Sequence, residues 1–139
     1  MNIPRLLFVL PVLGLLGAAG APQLQLFNTG GFTPGQWKIT PLDEDSKMRN
    51  ASGENQCLMA PDMIVHAGHK AASAACEHTI IEDTPDRAIV TYICKGSGYG
   101  RTDIRRDAAG VFVVESQGIA GKDPFEMRGE FKRTGDCKR

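Results

Sequence analysis

The chain has no surplus of charge of either sign, since 16 lysines and arginines stand against 16 aspartates and glutamates. Nucleic acids and anionic membranes select a clear basic excess, so neither is expected as a partner. There is no Cys-x-x-Cys, and none of the four cysteines lies close enough to another for a zinc finger. Thioredoxin-type redox chemistry and finger-type zinc are thereby excluded as expectations. Aromatic residues are few, at 6%, with one tryptophan, Trp37. Its large apolar area suits a core anchor better than a binding platform. Only one long apolar run exists, Leu6 to Leu16. Pro11 and Gly14 interrupt it, and it falls short of the roughly 20 residues a spanning helix needs. Internal repeats and low-complexity stretches are absent.

What the N-terminus does contain is Arg5, the apolar run, and the small residues Gly17, Ala18, Ala19, Gly20 and Ala21. That three-part layout predicts a signal peptide over residues 1–21, cut after Ala19 or Gly20. The exported remainder should be soluble, with no transmembrane anchor, and long enough for one domain with one modest core. Its four cysteines, Cys57, Cys76, Cys94 and Cys137, then read as two disulfides, because the exported compartment is oxidising.

Turn-forming residues crowd positions 22–34, including Pro22, Asn28, Gly30, Gly31 and Pro34. They predict a flexible N-terminal arm ahead of a domain spanning 35–139. Gln36 to Thr40 alternates as a first strand, and a second, polar strand falls between Lys47 and Leu58. Pro61 and Asp62 suit a helix start, and Met63, Ile64, Ala67, Ala71, Ala74 and Ala75 can share one side, predicting a helix over 61–75. Two hairpins follow, Cys76 to Ile81 with Arg87 to Cys94, and Tyr99 to Arg106 with Val111 to Ile119. In the first, Ile89 to Ile93 is apolar on both faces. Phe125, Met127, Gly129 and Phe131 alternate with charged residues as the last strand. The fold class is therefore mainly β: a strongly curved antiparallel meander of about seven strands, barrel-like in the extreme, with one helix inserted between strands 2 and 3.

Four cysteines allow three pairings. Cys57 and Cys76 bracket the expected helix, which favours Cys57–Cys76 with Cys94–Cys137. Gly35-Gln36-Trp37, Cys57-Leu58-Met59-Ala60-Pro61, a helix closing at Cys76, the central Cys94 and the closing Arg133-Thr134-Gly135-Asp136-Cys137 together resemble the bacterial exported family called domain of unknown function number 3617. The resemblance covers about Gly35 to Cys137. It implies a periplasmic or otherwise exported location in a Gram-negative bacterium, the same fold, and no assigned activity or site residues.

The best chemical candidate is the spacing of Met63, His66 and His69, with Met59 nearby. On a helix these form a drifting stripe, and thioether with imidazole could hold copper. The plain alternative is methionines that fill gaps and histidines that face water. His78 could join only if its strand folds back. Ser97 in Gly96-Ser97-Gly98 lacks the glycine spacing of a nucleophile elbow, and the run leads into no helix that could cradle phosphate. Arg101, Arg105, Arg106, Arg128, Lys132 and Arg133 could bind an anionic ligand, although Asp103, Asp107, Glu126 and Glu130 are interleaved with them. Trp37, Met48, Phe112, Val114, Phe125, Met127 and Phe131 could line a pocket for a small apolar ligand. No catalytic constellation stands out, so the expectation is a non-enzymatic binding or envelope accessory module. A copper-binding protein is the second reading, and a small hydrolase or redox enzyme the third.

Overall fold

The computed structural model describes residues 22–28, 30–45, 53–73 and 75–139. The expected signal peptide, Met48, and the first half of the expected second strand lie outside the described residues. Seven strands follow one another: β1 (Gly35–Pro41), β2 (Glu54–Leu58), β3 (Glu77–Asp83), β4 (Arg87–Cys94), β5 (Gly98–Ala108), β6 (Val111–Ala120) and β7 (Asp123–Gly135). They form one antiparallel sheet in the order β2-β1-β7-β6-β5-β4-β3. The sheet is curled but not closed, so β2 and β3 are its two edges.

Period-two alternation sends Trp37, Phe112, Val114, Phe131, Ile104, Val90 and Tyr92 to the inner face, where all are buried. Two single-turn helices, α1 (Gln25–Asn28) and α2 (Asp62–Val65), complete the core from that side. Leu26, Phe27, Ile64 and Val65 are their buried contributions, and Leu24 is buried just ahead of α1.

The segment 22–34 is not an arm outside the domain. Leu26 is fully buried, Phe27 meets Phe112 edge-on at 5.4 Å, and Phe32 stacks on Trp37 at 5.4 Å. The turn formers set the bends that let apolar residues between them reach the sheet. The same packing fills the space expected to hold an apolar ligand, because Trp37 and Phe112 are spent on contacts with the N-terminal segment and with each other.

The helix expected over 61–75 stops at Val65. His66 donates its N–H to the Asp62 carbonyl at 2.9 Å, and tighter turns follow, with Ala67 bonding to Ile64 and His69 to His66. Gly68 then takes φ +83°, a left-handed conformation that glycine adopts without a Cβ clash. Beyond Val65 the run of alanine, glycine and histidine offers no bulky apolar stripe to hold a longer helix on the sheet.

The cysteines pair as Cys57–Cys137 and Cys76–Cys94, not as Cys57–Cys76 and Cys94–Cys137. Strand register explains both bridges. Glu77 faces Ile93 across β3 and β4, so the preceding Cys76 comes opposite Cys94, with Cα atoms 4.4 Å apart. Cys57 faces Gln36 on β1, and Gln36 faces Gly135 on β7. The chain after Gly135 crosses that end of β1 to reach Cys57, with Cα atoms 5.4 Å apart.

Candidate functional site

Thr102 on β5 and Ser116 on β6 are opposite each other on the inner face, buried in an otherwise apolar region. Their hydroxyls are 3.0 Å apart, and the Thr102 hydroxyl donates to the Val65 carbonyl at 2.6 Å. The pair thus supplies a partner to a carbonyl at the end of α2, which burial would otherwise leave unsatisfied. This anchors the turn that follows, and with it His66 and His69.

All three histidines of the chain gather around one ring, Tyr92 on β4. His78 is opposite Tyr92 in the β3–β4 register, and their ring centroids are 6.0 Å apart. His66 lies 4.8 Å from Tyr92 and 5.0 Å from His78, with the two Nε2 atoms only 2.7 Å apart. His69 meets Tyr92 at 5.6 Å and Phe125 at 5.3 Å, both edge-on. Both ring nitrogens of His69 are buried and make no hydrogen bond within the described residues. Gly100 makes room for this arrangement, since a Cβ there would collide with the Tyr92 hydroxyl.

Burial lowers the pKa of His66 to about 4, helped by the facing His78 and by His69, with Asp62 acting in the opposite sense. His78 is also lowered by burial, against its hydrogen bond with the Cys76 backbone and the pull of Asp62. Burial pushes the Tyr92 phenol up, while the Ser116 and Thr102 hydroxyls work the other way. At neutral pH the His66 imidazole is therefore uncharged.

A pH dependence of stability follows. Between pH 6.5 and about 4 the unfolded chain takes up a proton at His66 that the folded chain refuses, so stability falls as the pH falls through this window. At about 1.4 kcal/mol per pH unit, His66 accounts for a loss of up to about 3 kcal/mol. Urea unfolding at pH 7 and pH 4.5 should show a marked fall for the natural chain and a smaller one for His66→Gln. Equal falls would mean that the imidazole is not held neutral.

The expected Met63, His66 and His69 set is not assembled. Met63 is exposed, and its sulfur accepts the Met59 N–H at 3.4 Å. The Met59 sulfur lies 3.5 Å from Cys57 Sγ and 3.8 Å from Cys137 Sγ. The short helix ends too soon for a three-residue stripe to run along it. Among the described residues no three His, Cys, Asp or Glu side chains stand together as metal ligands. His78, expected to join only if its strand folds back, is the residue that meets His66, because the β3–β4 register puts position 78 beside position 92.

The outer face carries a second feature. Ile93 faces Tyr99, Tyr99 faces Ile119, and Ile119 faces Pro124, forming one apolar row across β4, β5, β6 and β7. Ile93 and Tyr99 are 62% and 55% exposed, far more than such side chains usually are. A polar row, Thr91, Arg101, Gln117 and Glu126, runs alongside. Together they line an open groove of about 780 Å³.

The expected anionic-ligand stripe on this face is partly spent on its neighbours. Arg128 pairs with Glu115 at 2.9 Å and donates to the Glu44 carbonyl at 2.9 Å, and Arg133 pairs with Asp136 at 2.9 Å. Arg87, outside the expected set, pairs with Asp103 at 2.6 Å. Gly96-Ser97-Gly98 is the β4–β5 turn, where Ser97 donates its N–H to the Cys94 carbonyl and accepts from the Gly121 N–H, both at 2.8 Å.

The chain matches no protein-family model, no curated protein and no solved structure at a significant level.

Proposed function

We propose that this protein is an extracytoplasmic binding module that acts by recognition rather than by catalysis, and that it meets a partner protein with the outer face of β4–β7. The observation that carries the reading is the row Ile93, Tyr99, Ile119 and Pro124 beside a polar row, with Ile93, Tyr99 and Pro124 exposed and Ile119 half-buried. Contiguous apolar surface rimmed by polar side chains is characteristic of protein interfaces. The groove is shallow and wide, which suits another protein's surface better than an engulfed small molecule. Two disulfides fit an oxidising compartment, and among the described residues no helix is long and apolar enough to cross a membrane. Export, and the likeness in cysteine placement to domain of unknown function number 3617, are parts of this proposal.

The test is a photo-crosslinking residue placed at Tyr99 in the exported protein, with Asn55 on the polar strand β2 as a control. A discrete adduct from position 99, absent from position 55 and lost when Ile119→Asp is added, supports the reading. An adduct of twice the chain's mass would identify the partner as a second copy. Absence of any adduct specific to position 99 would sink the proposal.

A further inference from the structure

Met59 and Met63 do not line the outer groove, and recognition through that groove does not use them. Met59 follows directly on β2, and Met63 stands in α2. They are 62% and 43% exposed, whereas Met127 is half-buried against the core. A thioether is soft and apolar, and it gains from burial, so two of them in solvent call for an explanation.

The two exposed sulfurs have different neighbours. Met63 Sδ accepts the Met59 N–H at 3.4 Å, which engages one of its lone pairs. Met59 Sδ lies instead against the Cys57–Cys137 bridge, 3.5 Å from the Cys57 sulfur and 3.8 Å from the Cys137 sulfur. A bridged sulfur carries no hydrogen, so neither contact ties up a lone pair as a donor does. The electron pairs of Met59 Sδ therefore stay open to attack an electrophile. The polarisable bridge sulfurs beside it can share electron density as it turns cationic in that attack.

The two bridges also differ in their access to solvent. Cys76 and Cys94 are buried, but Cys57 is exposed and Cys137 only half-buried. The accessible bridge is the one that closes the span of 80 residues, and it is the one with a thioether against it. A thioether is a better nucleophile than a disulfide sulfur, whose electrons are drawn toward its partner. An oxidant arriving from solvent thus meets the more reactive sulfur beside the one whose loss costs the fold more.

We infer that Met59 is a modification site, an oxidant-accepting thioether that becomes methionine sulfoxide first and thereby spares the Cys57–Cys137 bridge. The oxidants are two-electron electrophiles of the hypochlorous acid class. Met59 Sδ attacks the chlorine, the O–Cl bond breaks and hydroxide leaves. Water then adds to the sulfur, chloride departs and the protons pass to solvent. In sum, thioether and hypochlorous acid give sulfoxide, chloride and one proton, with sulfur losing two electrons and chlorine gaining two. The polar sulfoxide suits a solvent position, and methionine sulfoxide reductases return it to the thioether.

The chain with both disulfides intact is treated with less than one equivalent of hypochlorous acid and mapped by tandem mass spectrometry. Sulfoxide at Met59 should exceed that at Met63 by about fivefold, and that at Met127 by more. This ordering is read on the natural chain and needs no variant to fold. Met59→Leu keeps the bulk of an exposed side chain, and in it oxygen should enter the Cys57–Cys137 pair about three times as readily, while Met63→Leu leaves that pair unchanged. Oxidation of Met59 within about twofold of Met63 would overturn the inference by reducing the site to exposure alone. Bridge oxidation unaltered by Met59→Leu would overturn it as well.

Discussion

A chain carrying Cys57→Ala and Cys137→Ala should lose about 4 to 5 kcal/mol of stability, whereas Cys76→Ala with Cys94→Ala should lose about 3. The difference comes from the unfolded state. The first bridge closes a span of 80 residues and the second only 18, and the entropy removed by a cross-link grows with the logarithm of that span. Small domains hold about 5 to 15 kcal/mol in all, so the first variant should be partly unfolded at 37 °C. Urea unfolding of the two variants decides the matter, with peptide mapping of the natural chain to verify the pairs. Equal losses would show that chain entropy is not the main contribution of the long bridge.

Leu26→Ala should cost about 2 to 5 kcal/mol, and Gln25→Ala well under half of that. Leu26 is fully buried within the cluster formed by both helices and the inner face of the sheet. Removing three carbons there loses transfer energy and leaves a cavity that single-turn elements on either side cannot close. Gln25, by contrast, is exposed and holds Asp83 through its backbone N–H at 2.8 Å and its side-chain amide at 3.0 Å. Thermal or urea unfolding of both variants checks this. A change below about 0.5 kcal/mol for Leu26→Ala would mean that the segment is dispensable to the core.

The strands were legible where alternation and turn chemistry agreed. Arg87 to Cys94 has the bounds the sequence predicts, and the β7 pattern of Phe125, Met127, Gly129 and Phe131 extends only at its ends. Long antiparallel strands repeat their signal often enough to outweigh any one residue. The helix was misjudged because alanine propensity is local, whereas a helix in a protein survives on the apolar stripe it buries. Leu24 to Phe32 was misjudged for a related reason: turn formers mark bends, and bends do not say whether the residues between them face solvent.

The disulfides hold a sharper lesson. Cys76 and Cys94 were already the outer ends of one expected hairpin, and counting inward from the turn sets them face to face. Weighing the helix they flank, instead of the register they end, led to the wrong partner. For the candidate sites, the unused clue was β4. Its apolar character on both faces implied burial on both, but the helices cover one side only, so Ile93 emerges on the outer face.

The open ends of the sheet bear on how the protein behaves when crowded. β2 is polar apart from Leu58 and is bolted to the C-terminus, so it is a poor template for a foreign strand. β3 is the hazard, with Ile80 and Ile81 44% and 58% exposed along an unpaired backbone. An extra residue at Ile81 breaks the ladder between Ile80 and Glu82, Glu77, Glu82 and Asp83 charge the strand, and Gln25 occupies the carbonyl at its end. Kinked, acidic and capped edges resist stacking into fibrils. The N-terminal segment therefore serves the molecule twice, filling the core on one side and shielding the last rung of the sheet from its neighbours.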